Sequence, residues 1–205
     1  MDDTIEGFIL TGGRSRRMGT DKSQLRLEGQ SFVERIAAEL FSVTTSVKLV
    51  GDNSPESQPK LQFAPDVYPQ LGALGGVHAA LSACRASWAV VVACDFPFVT
   101  SELFRKLASL RDDFEAVAAI QKDGIPQPLC SLYRVEPCLS IAEALIKSGE
   151  RKPVALLQSV RTRWLEFSEL SELAGANSFF DNINTPEDYA RLTRKGSDLD
   201  DVRMK

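Results

Sequence analysis

The sequence predicts a layered α/β domain with a largely parallel sheet, on three observations. Short β-like runs alternate with longer helical patterns over most of the chain, without an internal repeat. The most apolar run, Ala89-Val90-Val91-Val92-Ala93-Cys94, is too short for a typical helix and rich in β-branched residues, as befits a central strand buried on both faces. With 205 residues and 43% hydrophobic content, the chain can enclose a real core. A single domain is expected over residues 1–193. Residues 194–205 alternate charges with little apolar content and are expected to form a disordered tail.

Taken in order, Phe8-Ile9-Leu10 reads as a first buried strand running into a glycine-rich turn. Ser31-Phe32-Val33-Glu34 then opens a helix with a capping box, in which Ser31 and Glu34 satisfy each other's backbone amides. Phe32, Val33, Ile36, Ala37, Leu40 and Phe41 form its apolar stripe. Residues 47–50 form a second strand, and residues 52–59 are a polar, proline-broken surface loop. Residues 61–64 make a short strand running into Asp66, and a helix beginning near Gly75 carries Val77, Leu81 and Cys84. The central strand ends at Asp95, and helix signals resume at Thr100-Ser101-Glu102. Further strands are expected near residues 116–120 and 129–133, and another helix over about residues 141–147. Thr185-Pro186-Glu187-Asp188 combines an N-cap threonine, proline at the first helical position and acids in the first turn, a strong helix start.

Composition excludes several classes of function. A net charge of -4 leaves no basic excess for a nucleic-acid backbone or an anionic membrane surface, so neither is an expected partner and any bound phosphate needs a local site. Met1-Asp2-Asp3-Thr4 is acidic where a secretory signal is basic, and no apolar run approaches the roughly 18 residues of a membrane span, so a cytoplasmic location is expected. Cys84, Cys94, Cys130 and Cys138 form no C-x-x-C pair and read as buried free thiols. His78, the single histidine, leaves no material for a zinc cage and reads as a satisfied helix residue. Trp88 and Trp164 read as core, and Glu150-Arg151-Lys152 as surface.

Chemistry concentrates in residues 10–22, Leu10-Thr11-Gly12-Gly13-Arg14-Ser15-Arg16-Arg17-Met18-Gly19-Thr20-Asp21-Lys22. Gly12 and Gly13 allow close backbone approach to an anion, while Arg14, Arg16, Arg17 and Lys22 supply charge. The spacing is neither a Walker A loop nor a dinucleotide fingerprint. Read by physics alone, it favours phosphate binding over a solvated basic turn. Asp95, at the carboxyl end of the central strand, stands where ligands of open α/β sheets bind, and its carboxylate suits a hard divalent ion; the alternative is a turn or helix-capping carboxylate.

These residues resemble the signature L-A-G-G-x-S-x-R-M-G-x-D-K of the MobA-like nucleotidyltransferases, with Thr11 in place of the alanine. Asp66-Val67-Tyr68-Pro69-Gln70-Leu71-Gly72-Ala73-Leu74-Gly75-Gly76 resembles the family's E-D-x-x-x-x-x-G-P-L-A-G region, with Ala73 for the proline and Gly75 for the alanine. Ala93-Cys94-Asp95-Phe96-Pro97 resembles C-D-x-P, and Gly124-Ile125-Pro126-Gln127-Pro128-Leu129 resembles the strand entry G-x-x-Q-P-L. Asp181-Asn182-Ile183-Asn184-Thr185-Pro186 resembles the terminal N-x-N-T-P motif. The asparagine that follows the second strand in some members is Gly51 here, and that contact is not carried over.

The resemblance implies a three-layer α/β/α Rossmann-like nucleotidyltransferase fold with a mostly parallel central sheet. It implies Mg²⁺ as cofactor, held by Asp95, and Lys22, Arg17 and Asp95 as catalytic residues. It implies ligand contacts from Leu10, Thr11, Gly12, Gly13, Lys22, Asp66, Gly72, Gly76 and Asp95, with Asn182 and Asn184 toward a pterin substrate. The implied substrates are GTP and molybdenum-bearing molybdopterin, joined into a guanine dinucleotide with release of pyrophosphate. The implied partners are proteins that deliver molybdopterin and molybdoenzyme chaperones. The alternatives are a relative using CTP or a sugar-phosphate acceptor, and a non-catalytic nucleotide-binding module, which would be expected to lack Lys22 or Asp95.

Overall fold

The computed structural model describes residues 4–11, 26–27, 29–51, 61–68 and 71–181. Its strands are β1 (Ile5–Leu10), β2 (Arg26–Leu27), β3 (Gln30–Ser31), β4 (Val47–Gly51), β5 (Gln62–Pro65), β6 (Trp88–Ala93), β7 (Ala116–Ile120), β8 (Pro126–Arg134) and β9 (Thr162–Leu165). Its α-helices are α1 (Phe32–Phe41), α2 (Gly72–Ala83), α3 (Ser101–Ala108), α4 (Val135–Lys147), α5 (Val154–Ser159) and α6 (Phe167–Leu170). Seven strands form one sheet in the order β5-β4-β1-β6-β8-β7-β9. β8 runs antiparallel to both neighbours, and the other pairings are parallel. β2 and β3 form a separate antiparallel pair.

Alternation along the strands feeds two cores, one on each face. Ile9, Val92 and Val117 meet Ile36 and Leu40 of α1 and Phe104 of α3. Phe8, Val91 and Ala118 meet Val77 of α2, Ala142 of α4 and Leu156 of α5 on the other face. Because both faces are covered, β1 and β6 are buried at every position, which is why β6 reads as an unbroken apolar run rather than an alternating one, while β1 carries one buried charge, Glu6. The result is the expected three-layer α/β/α arrangement with a largely parallel central sheet.

The expected capping box is present: Ser31 Oγ accepts the Glu34 N–H at 3.1 Å, and Glu34 Oε2 accepts the Ser31 N–H at 2.7 Å. Thr100 caps α3, and Glu39 Oε2 on α1 accepts the Ser101 N–H at 2.7 Å, joining the two helices of that face. Phe41 is corrected out of the buried stripe, being 52% exposed. At about 100° per residue it falls roughly 110° from the stripe's centre. The helix expected near Gly75 begins at Gly72, whose φ of +67° suits glycine, and no side-chain cap marks that start. α4 begins six residues earlier than expected because β8 passes straight into it at Val135 without a capping side chain. β9, α5 and α6 are too short for periodicity to reveal, and the sequence reading passes over them.

Cys94, Cys130 and Cys138 are buried, Cys84 is half-buried, and all four thiols are free. Burial pushes Cys84, Cys130 and Cys138 up to about 12, so these three are inert as nucleophiles near neutrality. Trp88 is core and Trp164 packs half-buried against the α2 face. Beneath α2, Lys48 Nζ and Glu6 Oε2 form a buried ion pair at 2.8 Å. Nζ also donates to the Ala83 carbonyl at 3.0 Å, and Oε2 accepts the Arg85 N–H at 3.1 Å, fastening the end of α2 to β1 and β4. No helix among the described residues is long and apolar enough to cross a membrane. The loop at 52–59, the helix start at Thr185 and the tail at 194–205 lie outside the described residues.

Candidate functional site

The site is built at the carboxyl ends of the parallel strands. Thr11 follows β1, Asp66 follows β5 and Asp95 follows β6 by two residues. β5 and β6 are separated by β4 and β1, so Asp66 and Asp95 stand three strand spacings apart, about 14 Å at roughly 4.8 Å per strand. The chain leaves β1 between them, at Thr11. That span is on the scale of an extended nucleotide, with one carboxylate at either end and the exit to the cation-rich segment in the middle.

Local bonding fixes this edge. The Thr11 N–H and Oγ–H both donate to the Val50 carbonyl, at 2.8 and 3.1 Å, tying the exit of β1 to the end of β4. The threonine that departs from the family alanine therefore adds an anchor at this edge. The Cys94 N–H donates to the Leu10 carbonyl at 3.0 Å, holding Asp95 beside the same exit. Asp95 is half-buried, with its Oδ1 shielded from solvent. Phe96, directly after it, is core and seats the turn.

Leu10, at the end of β1, packs against the start of α2. Its side chain is 6% exposed, and a Cβ on Gly76 would meet its Cδ1 at 3.2 Å. Gly76 thus lets α2 approach the end of β1. Gly75, which departs from the family alanine, faces the Tyr68 carbonyl: a Cβ there would come within 3.3 Å of that oxygen and 3.8 Å of Asp66 Oδ1. Gly72, exposed at the start of α2, completes the group expected from sequence on this side. Gly12, Gly13, Arg17, Lys22, Asn182 and Asn184 lie outside the described residues.

On the other side of Asp95, a cleft of about 330 Å³ opens between the β7–β8 turn and the residues after α6, lined by Gln121, Lys122, Phe167, Asn177, Phe180 and Asp181. Phe180 meets Phe96 edge to face at 6.0 Å, so one aromatic contact separates this cleft from Asp95. Gln127 Nε2 donates to Gln121 Oε1 at 2.6 Å across the β7–β8 hairpin, which fixes the amide that forms part of the wall. Neither Phe180 nor Gln121 stands out in the sequence, because both acquire a position only when β8 folds back between β6 and β7. Glu150 Oε1 accepts the N–H groups of Arg151 and Lys152, at 2.7 and 2.8 Å, and Arg151 and Lys152 are exposed, as expected for a surface turn.

Parallel strand ends carrying carboxylates on either side of the exit of β1 form the ligand edge of an open α/β sheet. Residues 7–163 match the MobA-like NTP transferase domain, and the chain belongs to that family. A probable molybdenum cofactor guanylyltransferase from Pelotomaculum thermopropionicum is 32% identical over 186 residues, covering 90% of each chain. The molybdenum cofactor guanylyltransferase of Vibrio cholerae is 33% identical over 191 residues, covering 90% of this chain and 89% of its own. The crystal structure of molybdopterin-guanine dinucleotide biosynthesis protein A from Archaeoglobus fulgidus superposes with a TM-score of 0.79 at 26% identity, covering 94% of this chain and 99% of that one.

Proposed function

We propose that the protein transfers GMP from GTP to molybdenum-bearing molybdopterin, forming the guanine dinucleotide and releasing pyrophosphate. The observation that carries this reading is the placing of Asp95 beside the exit of β1 by the Cys94 to Leu10 hydrogen bond. The full-length similarity to proteins named as guanylyltransferases supports the choice of guanine and of acceptor.

A terminal phosphate oxygen of the acceptor attacks the α-phosphorus of GTP in line. The new P–O bond forms as the bond to the oxygen bridging the α- and β-phosphorus breaks, and that electron pair leaves with pyrophosphate. A phosphate monoester has its second pKa near ~6, so the nucleophile is already mostly dianionic near neutrality and needs no general base. The residues instead neutralise and align two anions. Lys22 and Arg17 hold the phosphates, with the amides of Gly12 and Gly13 beside them. Thr11, Leu10, Gly72 and Gly76 shape the nucleotide side, where Asp66 faces sugar and base. The cleft walled by Gln121, Lys122 and Phe180 receives the acceptor, and Asn182 and Asn184, one and three residues after Asp181 of its lining, hydrogen-bond the pterin.

The donors present fit Mg²⁺. Asp95 offers carboxylate oxygens, hard donors, at the carboxyl end of β6 beside the exit of β1. That suits an ion held by one or two carboxylates and the substrate's phosphates rather than by a protein cage. When bound there by Asp95, Mg²⁺ neutralises charge on the reacting and departing phosphates.

Calorimetry with GTP, CTP, ATP and UTP in the presence of Mg²⁺ tests the nucleotide. Selective GTP binding is expected; preference for CTP moves the chain to cytidylyl transfer, and binding of none of the four refutes the reading. Lys22→Ala is expected to lower turnover about 100-fold, the scale of one positioned electrostatic donor, without changing thermal unfolding. A folded variant with wild-type turnover removes Lys22 from the mechanism.

A further inference from the structure

α2 carries a buried polar group to which the proposed reaction gives no task. His78, the chain's only histidine, is 5% exposed. It lies three residues after Gly75, on the same face of the helix. The ring of Tyr68 meets the imidazole edge to face, with centroids 4.9 Å apart and planes at 62°. The Tyr68 carbonyl accepts the Leu71 N–H at 3.3 Å and rests over Gly75, with Asp66 Oδ1 beside it. Tyr68 therefore lies along one face of α2, its main chain on Gly75 and its ring on His78, and Asp66 sits two residues before it.

We infer that His78 is a positioning residue for the nucleotide: through the ring of Tyr68 it sets where Asp66 stands against the first turn of α2. The inference rests on the proposed role of Asp66 toward sugar and base. The Leu71 N–H holds the Tyr68 main chain at the start of α2, and the ring contact with His78 adds a second hold further along the helix, so that together they resist sliding of the residues after β5. Aromatic pairs of this kind correspond to roughly 2- to 10-fold in an equilibrium constant.

The charge state of the imidazole is part of the device. It faces Tyr68 and Asp66 from the residues after β5, Ser82 on its own helix with Oγ 3.4 Å from Nδ1, and Glu143 on α4, itself paired with Lys147 at 2.7 Å. Burial lowers the imidazole's pKa, against the opposing pull of Glu143 and Asp66. The neutral ring is thus the form that packs against Tyr68 near neutrality. A proton on it creates a cation that competes for the Asp66 carboxylate, so nucleotide binding weakens on the acid side.

The test measures the dissociation constant for GTP with Mg²⁺ on the full chain, from about pH 8 down to about pH 5.5, across the range in which imidazole titrates. His78→Ala is expected to bind about 5- to 10-fold more weakly at the upper end. His78→Phe, which keeps a ring but cannot take a proton, is expected to restore that affinity and to lose the part of the acid-side weakening that wild type shows beyond it. In wild type, the single imidazole Cε1–H resonance is expected to shift on adding nucleotide. Tyr68→Leu removes the same contact from a half-buried position and is expected to weaken binding by the same factor, a readout that stands even if His78→Ala unfolds. Wild-type affinity in folded His78→Ala or in Tyr68→Leu, or an unchanged acid-side profile in His78→Phe, overturns the inference alone. A wild-type chain that binds no nucleoside triphosphate overturns the functional reading and the inference with it.

Discussion

Asp95→Ala is expected to reduce turnover by roughly 100- to 1,000-fold, the range for removing one preorganised charge from a reacting centre. The surrounding structure makes this a clean loss. The turn holding Asp95 is fixed by main-chain bonds, the Cys94 N–H to the Leu10 carbonyl at 3.0 Å and the Phe96 N–H to the Ala93 carbonyl at 3.3 Å, which the substitution leaves in place. Phe96, 5% exposed, continues to seat the turn. Thermal unfolding should therefore change little while turnover collapses. Asp95→Asn keeps the shape and removes the charge, so a comparable deficit there assigns the effect to the carboxylate and not to the space it fills. Pyrophosphate release in a GTP assay with acceptor supplies the measurement. Near-wild-type turnover in folded Asp95→Ala would move the essential charge elsewhere on this edge.

Residues that a strand delivers directly to the site are legible in the sequence. Asp95 can be placed in this way because the run before it is apolar at every position, so it reads as a doubly covered strand whose end is a ligand edge. Thr11 and Asp66 are placed likewise by β1 and β5. What stays hidden depends on residues that meet only through folding. The amide pair of Gln121 and Gln127 needs the antiparallel return of β8, a strand the sequence reads as only its last residues. Phe180 gains meaning from Phe96, more than eighty residues earlier. His78 reads in sequence as a satisfied helix residue, and Ser82 Oγ does meet its Nδ1, yet its ring also packs on Tyr68, two residues after Asp66, a contact that only the fold brings about. The start of α2 is hidden for a local reason, since Gly72 supplies a left-handed φ where a capping side chain would have marked the boundary. The motif residues Gly12, Gly13, Arg17, Lys22, Asn182 and Asn184 are legible as pattern alone, outside the described residues.

Lys48→Met is expected to destabilise the fold by about 3 kcal/mol near neutrality, because it strands a buried carboxylate. The side chains of Lys48 and Glu6 are 10% and 11% exposed, and the Lys48 ammonium is the cation that faces the Glu6 carboxylate. The double variant Glu6→Gln with Lys48→Met should recover much of the loss, since an uncharged amide oxygen can still accept the Arg85 N–H. Acid titration separates this from simple loss of packing. Burial raises the pKa of Glu6, but the Lys48 bond, the Arg85 N–H and the Lys48 charge together hold it below the ordinary carboxylate value. A carboxylate whose folded pKa is depressed contributes stability that is present above the unfolded value and lost as pH falls through the folded one. Wild type should thus lose stability from this pair on acidification below about 4.3, the unperturbed glutamate value. Lys48→Met removes the Lys48 bond and the Lys48 charge while burial remains, so the Glu6 pKa rises and protonation relieves the stranded charge. The gap between the two proteins in urea midpoint should therefore be widest near neutrality and narrow as pH approaches about 4. A gap that stays constant with pH would mean that Lys48 acts otherwise than through its charge on Glu6, by the packing of its stem or by the contact of its ammonium with the Phe8 ring, 5.4 Å from the centroid.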